Sequence, residues 1–433
     1  MKIRDILTKI NESEFDGAFS NLYGKAPAVL SLQKDRYIRA LDAFGNAFPE
    51  VTAKDPDVSV FSAPGRSEIG GNHTDHQKGR VLAAAVDLDM IAIVSGREDK
   101  VIRIQSEGYP MTEVDISDTE PRESEKETTQ ALIRGVATQF TAQGADVTGF
   151  DAYVTSNVLS GSGLSSSAAF EVLIGKIIDC RDNGGRAGAV EIAKYGQIAE
   201  NRYFGKASGL MDQMASSVGN LVEIDFRNTN EPKIDGHQFN MEEAGFSLII
   251  TDTKGSHADL SSEYSAIPGE MRAVAGYFGK EYLSEIDEKA FYSKLAELRS
   301  APGISDRAIL RSAHFLTENA RVREEAQALD DGDILKFLKL VNASGESSAN
   351  LLQNLYSAKD PTSQAIPMAL MLSRRVLGEE GACRVHGGGF AGTIQAFVPR
   401  AKVDEYVSTL EEVFGEGSCH ILQIRPVGAV QLI

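Results

Sequence analysis

Residues 157–170 read NVLSGSGLSSSAAF, a run of glycines and small hydroxyls set between apolar neighbours, and this composition suits a phosphate-binding turn. Glycines at 161 and 163 let backbone N–H groups approach an anion, and a helix starting behind them turns its positive end and its unsatisfied donors onto the same point. No lysine follows as it would in a Walker A sequence, so the ordinary P-loop pattern is absent. Two further glycine-rich stations lie at 63–82, APGRSEIGGNHTDHQKGRVL, and at 382–398, ACRVHGGGFAGTIQAFV. The second contains a formal GxGxxG at Gly387, Gly389 and Gly392. It reads as preceding a strand rather than opening a helix, which argues against dinucleotide binding. A fourth segment, 199–219, reads AENRYFGKASGLMDQMASSVG and carries Glu200 and Asp212.

The elements that must hold these residues follow from periodicity. Residues 149–154 have the aromatic and β-branched content of a strand, and Ala168, Leu173, Ile174, Ile177 and Ile178 follow helical spacing, predicting a helix over 168–180. Helices over 188–204 and 210–218 come next, the latter carrying Asp212. Residues 1–50 have helical spacing with Tyr37, Ala40, Leu41 and Phe44 on one face. Strands at 58–61 and 81–94 make the first glycine station a loop between them. Residues 115–128 read as an exposed acidic connection and 130–140 as a helix. Strands are predicted at 221–226 and 246–251. The polar, turn-rich stretch 228–245 between them marks a boundary between domains 1–235 and 236–433. Helices over 285–298, 306–329 and 362–377, then strands at 393–398 and 420–432, give the second half an α+β layering.

With 433 residues and 42% hydrophobic content the chain can build two cored domains. A net charge of −18 without a basic block argues against nucleic acid and anionic membranes as partners. Cys180, Cys383 and Cys419 are scattered, odd in number and without metal-type spacing, as in a reducing compartment. The acidic, polar N-terminus lacks the pattern of an export signal, and no apolar run reaches the ~18 residues of a membrane span. A soluble, cytoplasmic protein, monomer or homodimer, is the expectation.

In their order the three glycine-rich stations resemble the signature motifs of the GHMP kinases, and NHTDH and GLMDQ are similar to the galactokinase branch. The resemblance covers nearly the whole chain. It implies an N-terminal ribosomal-protein-S5-like domain and a C-terminal ferredoxin-like domain with the active site in the cleft between them. It also implies ATP and Mg2+, and transfer of the γ-phosphoryl group to the anomeric hydroxyl of galactose. Carried onto this sequence, Asp212 is the catalytic carboxylate and Arg66 its partner. Gly161, Ser162, Gly163, Leu164, Ser165, Ser166 and Ser167 face ATP. Ser167 and Glu200, the latter twelve residues before Asp212, hold the metal. Asn72, His73, Asp75, Gly209 and Tyr264 bind the sugar, and Gly387, Gly388 and Gly389 form a supporting loop.

The chain departs from the family's G-E-H-T-D-Y at Asn72, which stands where a glutamate meets the sugar's C6 hydroxyl, and at His76. An amide keeps hydrogen-bonding capacity but removes a negative charge, so galacturonate or another galacto-configured sugar is an alternative substrate. Ala266, Ile267, Pro268 and Gly269 replace a usual arginine pair, and His386 a usual threonine. A non-catalytic regulator that binds sugar and ATP is the alternative of a different class, although the phosphate loop, Asp212, Glu200 and Arg66 are intact. Mevalonate or homoserine kinase activity leaves NHTDH and GLMDQ without a purpose.

Overall fold

The computed structural model describes residues 1–433 except 159–162, 207, 238, 242, 256–259, 391 and the side chain of Ser261. Two sheets form its frame. The first contains β1 (Ser59–Gly70), β2 (Arg80–Gly96), β3 (Val101–Ser106), β4 (Thr112–Asp115), β5 (Phe150–Ser156), β6 (Leu221–Asp225) and β7 (Lys233–His237). The second contains β8 (Phe246–Asp252), β9 (Ala382–Val385), β10 (Thr393–Pro399) and β11 (Cys419–Leu422), while β12 (Val430–Gln431) returns to the first. The first sheet runs β12-β1-β2-β5-β3-β4, with β6 and β7 continuing from β2, and the second runs β11-β8-β10-β9.

The long β2 sorts the molecule by alternation. Val60, Ile91 and Ile93 turn to one face, against Tyr37, Ala40, Leu41 and Phe44 of helix Pro27–Ala47. Phe61, Ala92 and Val94 turn to the other, against Leu173, Ile174, Ile177 and Ile178 of helix Ser166–Asp182. Successive side chains of a strand point to opposite faces, so a strand buried on both sides must be apolar at nearly every position. Each buried Val, Leu, Ile or Phe side chain contributes about 1.5–3 kcal/mol.

Four predicted boundaries shift. The first glycine station is largely strand: β1 runs through Gly70 and leaves only 71–79 as a turn. Its Gly, Pro and charged residues read as a loop, but register shifts against β2 between Pro64 and Arg66 and between Glu68 and Gly70 absorb them. The stretch 228–245 contains β7, so the division at 235/236 falls inside a strand. The predicted terminal strand 420–432 is two strands in two sheets, joined through Arg425, which pairs with the buried Asp89 at 3.1 Å. The helix over 188–204 is α-helical only to Ile198 and continues as a π-helical turn, Ala199–Phe204, which carries Glu200. Such turns recur at functional sites.

The sheets are bolted across the cleft. Arg384 of β9 pairs with Glu68 and donates to the Ile69 carbonyl over 3.0 Å, and Gln395 of β10 donates to the same carbonyl over 3.1 Å. Among the described residues no helix is long and apolar enough to cross a membrane.

Candidate active site

Arg66 emerges between the two register shifts of β1 and grips Asp212, with Nε and Nη2 each 2.8 Å from Oδ1. Its Nη1 donates to the Gly163 carbonyl, and its backbone N–H donates to the Leu164 carbonyl over 3.1 Å. Asp212 stands in the first turn of helix Met211–Val218, and its Oδ2 accepts from the Ser165 hydroxyl. One guanidinium thus holds the carboxylate and the end of the phosphate loop together. The Asp212 side chain remains 32% exposed, so it also faces the open cleft.

Gly163 has φ 73°, and a Cβ there would lie 3.0 Å from His386 Nδ1 and Thr393 Oγ1. Both the left-handed backbone and the lack of space require glycine. Leu164 is buried and anchors the turn. Ser166 and Ser167 open helix Ser166–Asp182, whose first turn no side chain caps, because Ser165 is turned to Asp212 instead. Uncapped N–H groups at a helix start are anion donors. Gly161 and Ser162 lie outside the described residues.

Ser167 Oγ donates to Glu200 Oε1 over 3.3 Å. Two adjacent ligands of a six-coordinate Mg2+ at about 2.1 Å stand about 3 Å apart, so these two hard oxygens have a suitable spacing. The other Glu200 oxygen accepts from Gln213 Nε2 over 3.0 Å, and the same amide donates to Glu171 over 2.9 Å. Burial, with the neighbouring Glu200 carboxylate adding to it, pushes the Glu171 carboxyl well above the usual range. Lys206 Nζ lies 2.7 Å from Glu200 Oε1.

On the sugar side, Asp75 opens the short turn Asp75–Gln77 and accepts the His76 N–H over 2.8 Å. A Cβ at Gly209 would meet Asp75 Oδ2 at 2.2 Å, so this glycine lets the carboxylate lie against the segment leading to Asp212. Burial pushes the Asp75 carboxyl up; the His76 amide opposes this and the Asp212 charge adds to it.

The remaining sugar candidates converge on the third glycine station, which joins β9 to β10 and so follows a strand as well as preceding one. Asn72 Nδ2 donates to the Gly387 carbonyl over 2.7 Å, His73 Nε2 to Gly388 over 3.0 Å, and Tyr264 to Gly389 over 2.9 Å. Burial holds the His73 ring below its usual pKa and therefore neutral. Asn72, expected at the sugar, is fully buried with its amide saturated. Its second amide hydrogen goes to Glu68 over 3.0 Å, and its oxygen accepts from Asn354 over 2.8 Å and Ser348 over 3.3 Å. His386 takes threonine's place by accepting the Glu68 N–H at Nε2 over 3.3 Å, with Nδ1 3.2 Å from Thr393 Oγ1.

Sequence reasoning missed Glu68, Arg384 and Lys206, and it missed Ser165 as a partner of Asp212. Glu68 could have been found two residues beyond Arg66 on one strand. Lys206 carried no periodic signal. A cavity of about 290 Å³ lies beyond Phe390 against Glu263, Arg307 and Tyr356. A hollow of about 60 Å³ has Asp75 and Gly209 in its wall.

The family model for the GHMP kinases N terminal domain matches residues 131–220, from the helix before β5 through Asp212. The galactokinase galactose-binding signature matches residues 46–96, which carry Arg66 and Asp75. The crystal structure of Lactococcus lactis galactokinase complexed with galactose aligns at a TM-score of 0.77 and 24% identity, over 90% of this chain and 99% of that one. Methanococcus jannaschii mevalonate kinase aligns at 0.60 and 15% identity, over 85% and 98%. Fold and site together define the GHMP class of small-molecule kinases. A galactokinase of Glaesserella parasuis serovar 5 (strain SH0165) is 32% identical over 80% of this chain and 86% of its own, and one of Lactobacillus helveticus 30% over 84% and 92%. The chain belongs to the galactokinase family.

Proposed function

We propose that the protein is a galactokinase, transferring the γ-phosphoryl group of ATP to the anomeric hydroxyl of galactose. The observation that carries this reading is the convergence of Asp212, Arg66 and the serine-lined turn at one cleft. Phosphoryl transfer is mostly positioning and charge neutralisation. Asp212 orients the hydroxyl and takes its proton as the sugar oxygen bonds to the γ-phosphorus, and the bond from that phosphorus to the bridging oxygen breaks to release ADP. Arg66 fixes the Asp212 rotamer and lies next to the charge on the transferred group. Gly163 and Ser165 to Ser167, with Gly161 and Ser162, hold the triphosphate. Ser167 and Glu200 would hold Mg2+, which when bound would neutralise phosphate charge.

Asp75 accepts hydrogen bonds from sugar hydroxyls in the space Gly209 leaves, and Asn72, His73 and Tyr264 complete that wall through the 387–389 loop. Asp75 puts a carboxyl group in the wall of that space, so a sugar carboxylate beside it would be disfavoured and neutral galactose preferred over galacturonate. The net charge of −18 favours sugar and ATP as partners over nucleic acid or anionic membrane, and the three scattered cysteines suit a reducing cytoplasm, where the enzyme would act as a monomer or homodimer.

ADP release by purified protein with galactose and with galacturonate tests the reading. Galactose should react preferentially, and Asp212→Asn should lower kcat by about 10²–10⁴-fold. ATP binding without turnover on any sugar indicates the regulator instead.

A further inference from the structure

Glu200 is a buried carboxylate with a cation already on it. Its side chain is 4% exposed, whereas that of Lys206 is 58% exposed, and the ammonium nevertheless lies 2.7 Å from Glu200 Oε1. The backbone arranges this contact. The π-helical turn ends at Gly205, φ 92°, and the N–H groups of Gly205 and Lys206 both return to the Glu200 carbonyl, over 3.0 and 3.1 Å. Lys206 is thereby folded over a residue six positions earlier.

Oε1 is also the oxygen within 3.3 Å of Ser167 Oγ, the pair whose spacing suits a divalent cation. The other Glu200 oxygen is taken by Gln213. An ammonium and a divalent cation on one oxygen repel each other strongly at such range, so one must leave. Glu200 is fixed by burial and by Gln213. Lys206 has a flexible stem with three rotatable donors and can exchange partners without moving the backbone. The acceptor it would find lies at the adjacent start of helix Ser166–Asp182, where phosphate oxygens gather and Arg66 is already engaged by Asp212.

We propose that Lys206 is an exchangeable counter-ion of the nucleotide site: it neutralises Glu200 before nucleotide binds, yields Oε1 to the divalent cation that accompanies the triphosphate, and then binds the phosphate oxygens itself. This rests on the kinase reading above.

Lys206→Met and Lys206→Arg separate the two halves of the exchange. In nucleotide-free protein, Mn2+ binding followed by electron paramagnetic resonance should tighten several-fold in Lys206→Met, because the competitor is gone. Calorimetric affinity for MgATP should weaken about tenfold in the same variant, the effect of one charge-assisted contact. KM for MgATP should rise to match while KM for galactose stays within about twofold. Lys206→Arg keeps the charge and should return MgATP affinity close to that of the wild type. Unchanged affinity of Lys206→Met for either Mn2+ or MgATP overturns the proposal, as does a parallel rise in both KM values. Wild-type protein that binds MgATP yet makes no ADP with galactose defeats the functional reading and leaves these binding comparisons intact.

Discussion

Asn72 donates both amide hydrogens, one to the Glu68 carboxylate and one to the Gly387 carbonyl. Glutamate at this position has no hydrogen to give and sets a second carboxylate against Glu68 in a buried cluster. Leaving a buried polar group unsatisfied costs about 1–3 kcal/mol, and more when it is charged, so Asn72→Glu should lower the melting temperature substantially. The exchange Glu68→Asn with Asn72→Glu restores one amide and one carboxylate and should recover a large part of the loss. Thermal unfolding of the wild type, both single variants and the double variant measures the coupling. A double variant no more stable than Asn72→Glu alone would show that the two side chains do not act as a pair.

At the scale of elements, each part of the site is held by a different piece of secondary structure. Arg66 comes from β1, Ser167 from the start of helix Ser166–Asp182, Glu200 from the π-helical turn and Asp212 from helix Met211–Val218. The proposed sugar wall depends on how closely the turn Asp75–Gln77 approaches the segment before Asp212. A methyl at Gly209 would stand 2.2 Å from Asp75 Oδ2 and must displace it. Gly209→Ala should raise KM for galactose about tenfold or more, since a misplacement near 1 Å is that damaging. KM for MgATP should stay nearly unchanged, because the phosphate serines ride on another element. Steady-state kinetics with each substrate varied in turn checks this, and equal effects on both would point to a wider disturbance.

The whole molecule is closed by its own end. The segment after β11 returns to the first sheet, where Asp87 donates to the Gln423 carbonyl over 3.0 Å and accepts the Gln423 N–H over 2.9 Å. Burial pushes the Asp87 carboxyl up to about 7. A folded pKa above the unfolded value of about 3.9 gives stability that is fully present below that value and lost as pH rises through 7. Asp87→Asn keeps the acceptor oxygen and removes the titration. Its melting temperature relative to wild type should therefore rise between pH 5 and pH 8, the variant being the more stable at pH 8. Melting curves at the two pH values decide it; an unchanged difference would mean that Asp87 is not desolvated.

The sequence by itself determined the chemical stations and most of the elements beside them. A phosphate turn, an acidic residue in GLMDQ and a two-faced apolar strand are properties of a few consecutive residues, so composition and period reveal them. The galactokinase resemblance was carried by such short motifs too. Tertiary structure alone decided the partners. Arg66 and Asp212 are 146 residues apart, and Asn72 and Gly387 are 315 apart, so no local pattern records that the former bind each other or that the latter's bond takes up an Asn72 amide hydrogen. Gly and Pro in APGRSEIG read as loop because propensity is local, while the ladder with β2 that overrides it is not. Lys206 reaches Glu200 only because a widened turn ends in a left-handed glycine, a backbone event without side-chain periodicity.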